Sequence, residues 1–178
     1  MTTSRARPDR PIESILFVCL GNICRSPLAE GVLRHRARQR GMAEGLRIDS
    51  AGTGSWHVGS APDPRSTEVA SRHGILLESR ARQVVREDAE AFDLILAMDR
   101  SNLRDLADLL GSGKGRGKQA EVRLFRDFDP EADGPADVPD PYYGACDGFE
   151  LVQAMVERAC EGILDEVESR GSREPDEG

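Results

Sequence analysis

Cys19 and Arg25 bracket five residues, and a serine and a proline follow at once, in the order Cys19-Leu20-Gly21-Asn22-Ile23-Cys24-Arg25-Ser26-Pro27. A thiol, a guanidinium and a hydroxyl at that spacing suit nucleophilic attack on a bound oxyanion such as phosphate. Five residues between a strand and a helix can wrap one anion with their backbone N–H groups. Gly21 and Asn22 are residue types that tolerate left-handed backbone, which such a ring requires. The start of the following helix adds partial positive charge at the same point. Arg25 offers a planar fork for two phosphate oxygens, and Pro27 suits the first helical turn. A cysteine at the base of this ring is stabilised as the thiolate, and Ser26 is placed to donate a hydrogen bond to its sulfur. By itself a cysteine at a strand end is also a small packed hydrophobe. The ordered Gly-Asn, Arg-Ser and Pro favour the chemical reading.

A second pattern stands far along the chain, at Asp140-Pro141-Tyr142-Tyr143. Expelling an aryl oxygen from phosphorus takes a proton, and a loop carboxyl can supply it and later activate water. Tyrosines beside it would grip an aryl leaving group. Taken alone, an Asp-Pro turn is common; its value comes from pairing with the first motif.

The elements that must carry these residues follow from periodicity. Ser14 to Val18, Arg47 to Ala51, Asp93 to Met98 and Glu121 to Phe125 read as strands. Helical patterns cover Ser26 to Arg40, residues 65–73, Arg100 to Leu110 and Phe149 to Val167. The last carries an expected buried stripe of Leu151, Val152, Met155, Val156, Ile163 and Leu164. Strands alternating with helices imply an α/β fold with a parallel sheet. Ligands in such sheets sit beyond the C-terminal strand ends, so the loop after the first strand is the expected site. Residues 1–13 and 169–178 read as flexible tails around one catalytic domain, 14–168, and residues 111–118 as a glycine-rich loop.

The chain has 178 residues and a formal net charge of −8. Such a balance disfavours general nucleic-acid binding, which needs a positive field. No run is long enough to span a bilayer, and no apolar leader follows the N-terminal arginines. Four cysteines in a chain of this length do not make a disulfide scaffold. They point to a reducing, cytoplasmic setting.

These motifs resemble the low-molecular-weight protein-tyrosine phosphatases over roughly residues 14 to 165. Besides the two loops, the similar stretches are Asp49-Ser50-Ala51-Gly52-Thr53, Arg72-His73-Gly74-Ile75, Ala81-Arg82-Gln83 and Met98-Asp99-Arg100-Ser101-Asn102-Leu103. The resemblance implies a flavodoxin-like three-layer fold with a four-stranded parallel sheet flanked by helices. It implies a two-step mechanism through a phosphocysteine, without metal or other cofactor. Carried over by position, Cys19 is the nucleophile, Arg25 the phosphate clamp and Asp140 the acid and then base. Leu20 to Cys24 and Ser26 bind phosphate. Ser26, Ser50 and His73 support Asn22, and Trp56, Tyr142 and Tyr143 line the substrate slot. The implied partners are phosphotyrosine-containing proteins, with no nucleic acid and no membrane, and the chain is expected to be a monomer.

Alternatives share the scaffold. A thioredoxin-coupled arsenate reductase needs further cysteines before the third strand, and residues 74–98 contain none. A protein-arginine phosphatase resembles this chain but has Thr where Ile23 stands. A silent phosphate-binding module would need neither thiolate nor acid. Two further expectations concern regulation and specificity. Cys24 is placed to trap oxidised Cys19 as a disulfide. The six acids from Asp127 to Asp140, with no base among them, would attract basic peptides if solvated beside the cleft.

Overall fold

The structure is a computed structural model and describes residues 10–111, 118–143 and 147–171. The expectations for residues 1–9, 112–117 and 172–178 lie outside the described residues, as does the side chain of Tyr143.

Strand β1, Ser14–Cys19, is apolar along nearly its whole length and buried on both faces, as expected for a central parallel strand. It lies between β2, Arg47–Gly52, and β3, Leu94–Ala97; β4, Glu121–Leu124, flanks β3. All four strands are parallel, in the order β2-β1-β3-β4. The chain leaves β1 for β2 on one side and later returns to β3 on the other. The crevice beyond the C-terminal ends of β1 and β3 is therefore the switch point.

Alternation along β1 divides the core. Ile15 and Phe17 face helices α1, Arg25–Gln39, and α5, Asp147–Gly171, meeting Leu28, Val32, Val156 and Ile163. Leu16 and Val18 face the other layer, with Phe92, Ile95 and Leu106 of α4, Arg100–Leu110. Helix α2, Pro64–Arg72, packs on α1 and α5. A one-turn helix α3, Asp88–Ala91, precedes β3, and 3₁₀ turns span Phe125–Phe128 and Pro141–Tyr143.

The α/β class and the four parallel strands are as expected. Several boundaries differ. Residues 10–13 are not a loose tail: Ile12 is buried, Arg10 pairs with Asp93 at 2.9 Å, and the Glu13 N–H donates to the same carboxylate. Helix α5 extends beyond 168 because Arg170 is buried against Glu166 and Glu121. Phe125 leaves β4 for a 3₁₀ turn, where its ring packs edge-on against Phe17. In the expected stripe of α5, Leu151 is 53% exposed, while Phe149, Ala159 and Cys160 take buried places. The four-residue α3 was too short to leave a periodic signal.

Candidate active site

The loop from Cys19 to Arg25 is folded by bonds that pull its carbonyls outward. The Cys19 carbonyl accepts from the Thr53 N–H at 2.9 Å, and the Leu20 carbonyl from Gly54 N–H at 2.9 Å. Asp63 N–H reaches the Ile23 carbonyl at 2.7 Å, and Ser66 Oγ the Cys24 carbonyl at 3.4 Å. In a trans peptide the N–H of the next residue points opposite to each carbonyl. The N–H groups of Leu20, Gly21, Cys24 and Arg25 are thus turned into the ring. Asn22 adopts φ +56°, so the turn is made by a left-handed asparagine. Gly52 allows the neighbouring strand to approach: a Cβ there would stand 2.7 Å from the Leu20 carbonyl oxygen.

Polar groups hold the sulfur beneath this ring. Ser26 Oγ is 3.0 Å from Cys19 Sγ, and the Asn22 N–H donates to it at 3.3 Å. The Asn22 side-chain amide donates to Ser26 Oγ at 2.8 Å and Ser50 Oγ at 2.9 Å. Its carbonyl accepts the Arg82 N–H at 3.0 Å, and the Arg82 guanidinium is fixed by Asp49 and Asp88. The structure thus brings Asn22, Ser26 and Ser50 together.

His73 is not part of this network. It caps the end of α2, and its ring pairs with Glu150 at 3.3 Å and Glu157 at 3.6 Å on α5. A His-Gly pair at a helix C-terminus is a capping signal, and that local role accounts for it. The Arg82 backbone takes the place expected of His73.

Arg25 is buried and held on three sides. Nη1 donates to Asp99 at 2.6 Å and to the Val138 carbonyl at 3.0 Å, and Nη2 is 3.5 Å from Asp140. Burial alone would lower its pKa, but the charges of Cys19, Asp99 and Asp140 outweigh that and raise it. The guanidinium is a permanent cation at the cavity floor.

A cavity of about 300 Å³ opens above the sulfur. Cys19, Leu20, Gly21, Ile23, Cys24 and Arg25 line it from the loop, and Trp56, His57, Asp140 and Tyr142 from its walls. Trp56 is 74% exposed and stands at the rim. Cys24 is buried in the lining; desolvation, with the charges of Asp63, Cys19 and Asp140 adding to it, pushes its thiol up to about 12. It stays protonated at neutral pH.

Sequence reasoning missed Asp99, Arg82, His57 and Arg65. Asp99 stands two residues beyond the β3 end, where the strand-end rule points. Asp63-Pro64 carries a helix-start signal that marks Arg65 as first-turn. His57 adjoins Trp56, and no pattern marks it. The acidic stretch also differs from expectation. Asp127, Asp129, Glu131, Asp137 and Asp140 each lie within 4.0 Å of an arginine: Arg123, Arg126 and Arg158, Arg158, Arg100 and Arg25 respectively. Their field is largely cancelled, so it gives no ground for a preference for basic peptides. Among the described residues no helix is long and apolar enough to cross a membrane.

Residues 14–173 match the family described as low molecular weight phosphotyrosine protein phosphatase. A low molecular weight protein-tyrosine-phosphatase of Streptomyces coelicolor is 45% identical, covering 89% of this chain and 98% of that protein. A low molecular weight phosphotyrosine protein phosphatase of Rattus norvegicus is 42% identical over 87% of this chain and 96% of its own. The crystal structure of a protein tyrosine phosphatase from Entamoeba histolytica superposes with a TM-score of 0.80 at 38% identity, covering 88% of this chain and 97% of that one.

Proposed function

The chain belongs to the low molecular weight phosphotyrosine protein phosphatase family, and we propose that Cys19, Arg25 and Asp140 carry its chemistry. It is a protein-tyrosine phosphatase, a hydrolase of phosphoric monoesters. In the first step the Cys19 thiolate attacks phosphorus while the inward N–H groups and Arg25 hold the equatorial oxygens. The P–O bond to the aryl group breaks as Asp140 gives its proton to the leaving oxygen. In the second step Asp140 takes a proton from water, the water oxygen bonds to phosphorus, and the S–P bond breaks. Ser26 stabilises the departing sulfur by its hydrogen bond.

The observation that carries this reading is the loop's bonding pattern, with carbonyls tied outward and N–H groups inward around Cys19 Sγ. Trp56 and Tyr142, with aliphatic Ile23 in the same lining, suit a phenolic ring. Purified protein is assayed against phosphotyrosine, phosphoserine and phosphoarginine peptides, with and without chelator. Turnover of phosphotyrosine, unaffected by chelator, is expected; faster turnover of phosphoarginine would overturn the substrate assignment.

A further inference from the structure

Helix α2 begins with Asp63-Pro64-Arg65 beside the loop that holds Cys19, and the Arg65 side chain reaches two places at once. Asp63 is buried. Its N–H donates to the Ile23 carbonyl at 2.7 Å, and its carboxylate caps α2 through the Arg65 N–H at 2.8 Å. The same carboxylate takes the Arg65 fork, with Nε to Oδ1 at 3.1 Å and Nη2 to Oδ2 at 3.1 Å. The far edge of the guanidinium donates to the Tyr142 carbonyl, Nη1 at 3.2 Å and Nη2 at 3.3 Å. Its plane lies 4.7 Å over the Phe149 ring and 5.4 Å from the Tyr142 ring. Finally, the Tyr142 N–H donates to Asp140 Oδ1 at 3.0 Å.

We propose that Arg65 is a positioning residue for the acid step, strapping the Asp140–Tyr142 segment to the Cys19 loop so that the carboxyl stands over the bound phosphate. The chain of contacts runs Ile23, Asp63, Arg65, Tyr142, Asp140, and its two ends line one cavity. A local helix-start ion pair, its Asp63 side buried and its Arg65 side 38% exposed, would explain the contact between Asp63 and Arg65. It would not explain why the remaining N–H groups cross to a carbonyl 77 residues along the chain. General-acid chemistry depends on this placement, because a carboxyl displaced by about 1 Å loses much of its effect. The inference rests on Asp140 being the acid.

The test is a series of aryl phosphates whose phenols differ in acidity, with kcat/KM measured for the wild type, Arg65→Met, Asp140→Asn and the double variant. Methionine keeps an unbranched chain over Phe149 and removes the fork. Arg65→Met is expected to lose about tenfold or more on phosphotyrosine and phenyl phosphate. It is expected to lose little on esters of acidic phenols and to keep vanadate affinity within about twofold. In the Asp140→Asn background it should add little, because its effect runs through that carboxyl. Arg65→Lys keeps the charge but not the fork. It gives the same grading at smaller depth, and decides the matter if thermal melting shows the Met variant unfolded. An equal loss across the series, or full additivity with Asp140→Asn, overturns the strap. If Asp140→Asn alone shows no grading, the acid assignment fails instead.

Discussion

Asp99 holds Arg25 and starts a helix with the same carboxylate. Oδ2 accepts from Arg25 Nη1 at 2.6 Å, and Oδ1 accepts the Asn102 N–H at 2.7 Å, capping α4. Arg25, the proposed phosphate clamp, is thereby fixed beside the end of β3, across the switch point from the loop that carries it. A long side chain that would otherwise lose several rotatable bonds on binding is already oriented.

Replacing Asp99 separates the two tasks. Asp99→Asn keeps an N-capping side chain but removes the charge facing Arg25. It is expected to lower kcat/KM by about tenfold, in the range of a misoriented binding group, and to weaken vanadate binding in parallel. Asp99→Ala should also cost about 1 kcal/mol of stability through the lost cap. Wild-type kinetics for Asp99→Asn would show that Val138, Asp140 and the packing hold Arg25 without the Asp99 charge.

Cys24 shares the cavity with Cys19. Mild peroxide converts a reactive thiolate to sulfenic acid, and a neighbouring thiol can condense with it, forming an S–S bond and releasing water. Cys24 is held up to about 12, in part by the Cys19 charge, and oxidation of Cys19 removes that charge. We predict reversible inactivation through a Cys19–Cys24 disulfide, forming faster as pH rises because more of Cys24 is then ionised. Cys24→Ser should be active when reduced and recover poorly after peroxide followed by thiol. Peptide mapping that finds only higher oxides of Cys19, or a bridge to Cys160, contradicts this.

Glu30 on α1 is buried, with Arg34 at 3.6 Å on its own helix, Asp49 on β2 and the Ser79 hydroxyl against it. Burial, aided by Asp49 and opposed by Arg34, raises its pKa from 4.5 to about 7. Between those values the folded protein binds more protons than the unfolded chain. Stability therefore falls as pH rises through that window, by about 3 kcal/mol when complete. Glu30→Gln should flatten the slope, so that the variant gains on the wild type between pH 5 and pH 8 in urea denaturation. Parallel curves for the two proteins would show that Glu30 titrates normally.

The Cys19 loop was legible because its chemistry is local: residue types, order and the flanking strand and helix are all contiguous. Asp140 was legible only in combination, since it reaches the site through the fold. His73 misled because His-Gly also marks a helix end. Arg10 and Ile12 were missed because one apolar residue and a partner at Asp93, 83 positions away, leave no periodic trace. The same distance problem hid Arg65, whose two partners lie on separate segments. The acidic stretch misled for a related reason: its neutralising arginines come mostly from before it and from α5, and a count within the stretch does not see them.

In the proposed mechanism phosphate passes through Cys19. Protein mixed with a phosphotyrosine substrate and quenched in acid within the first turnovers should yield a Cys19 peptide heavier by one phosphoryl group. The label should accumulate further in Asp140→Asn when the substrate is an ester of an acidic phenol, whose departure needs no proton while hydrolysis of the intermediate still lacks its base. It should be absent in Cys19→Ser, which should bind vanadate but not turn over. Turnover without a phosphorylated Cys19 peptide, or substantial activity in Cys19→Ser, would show that another group takes the phosphate.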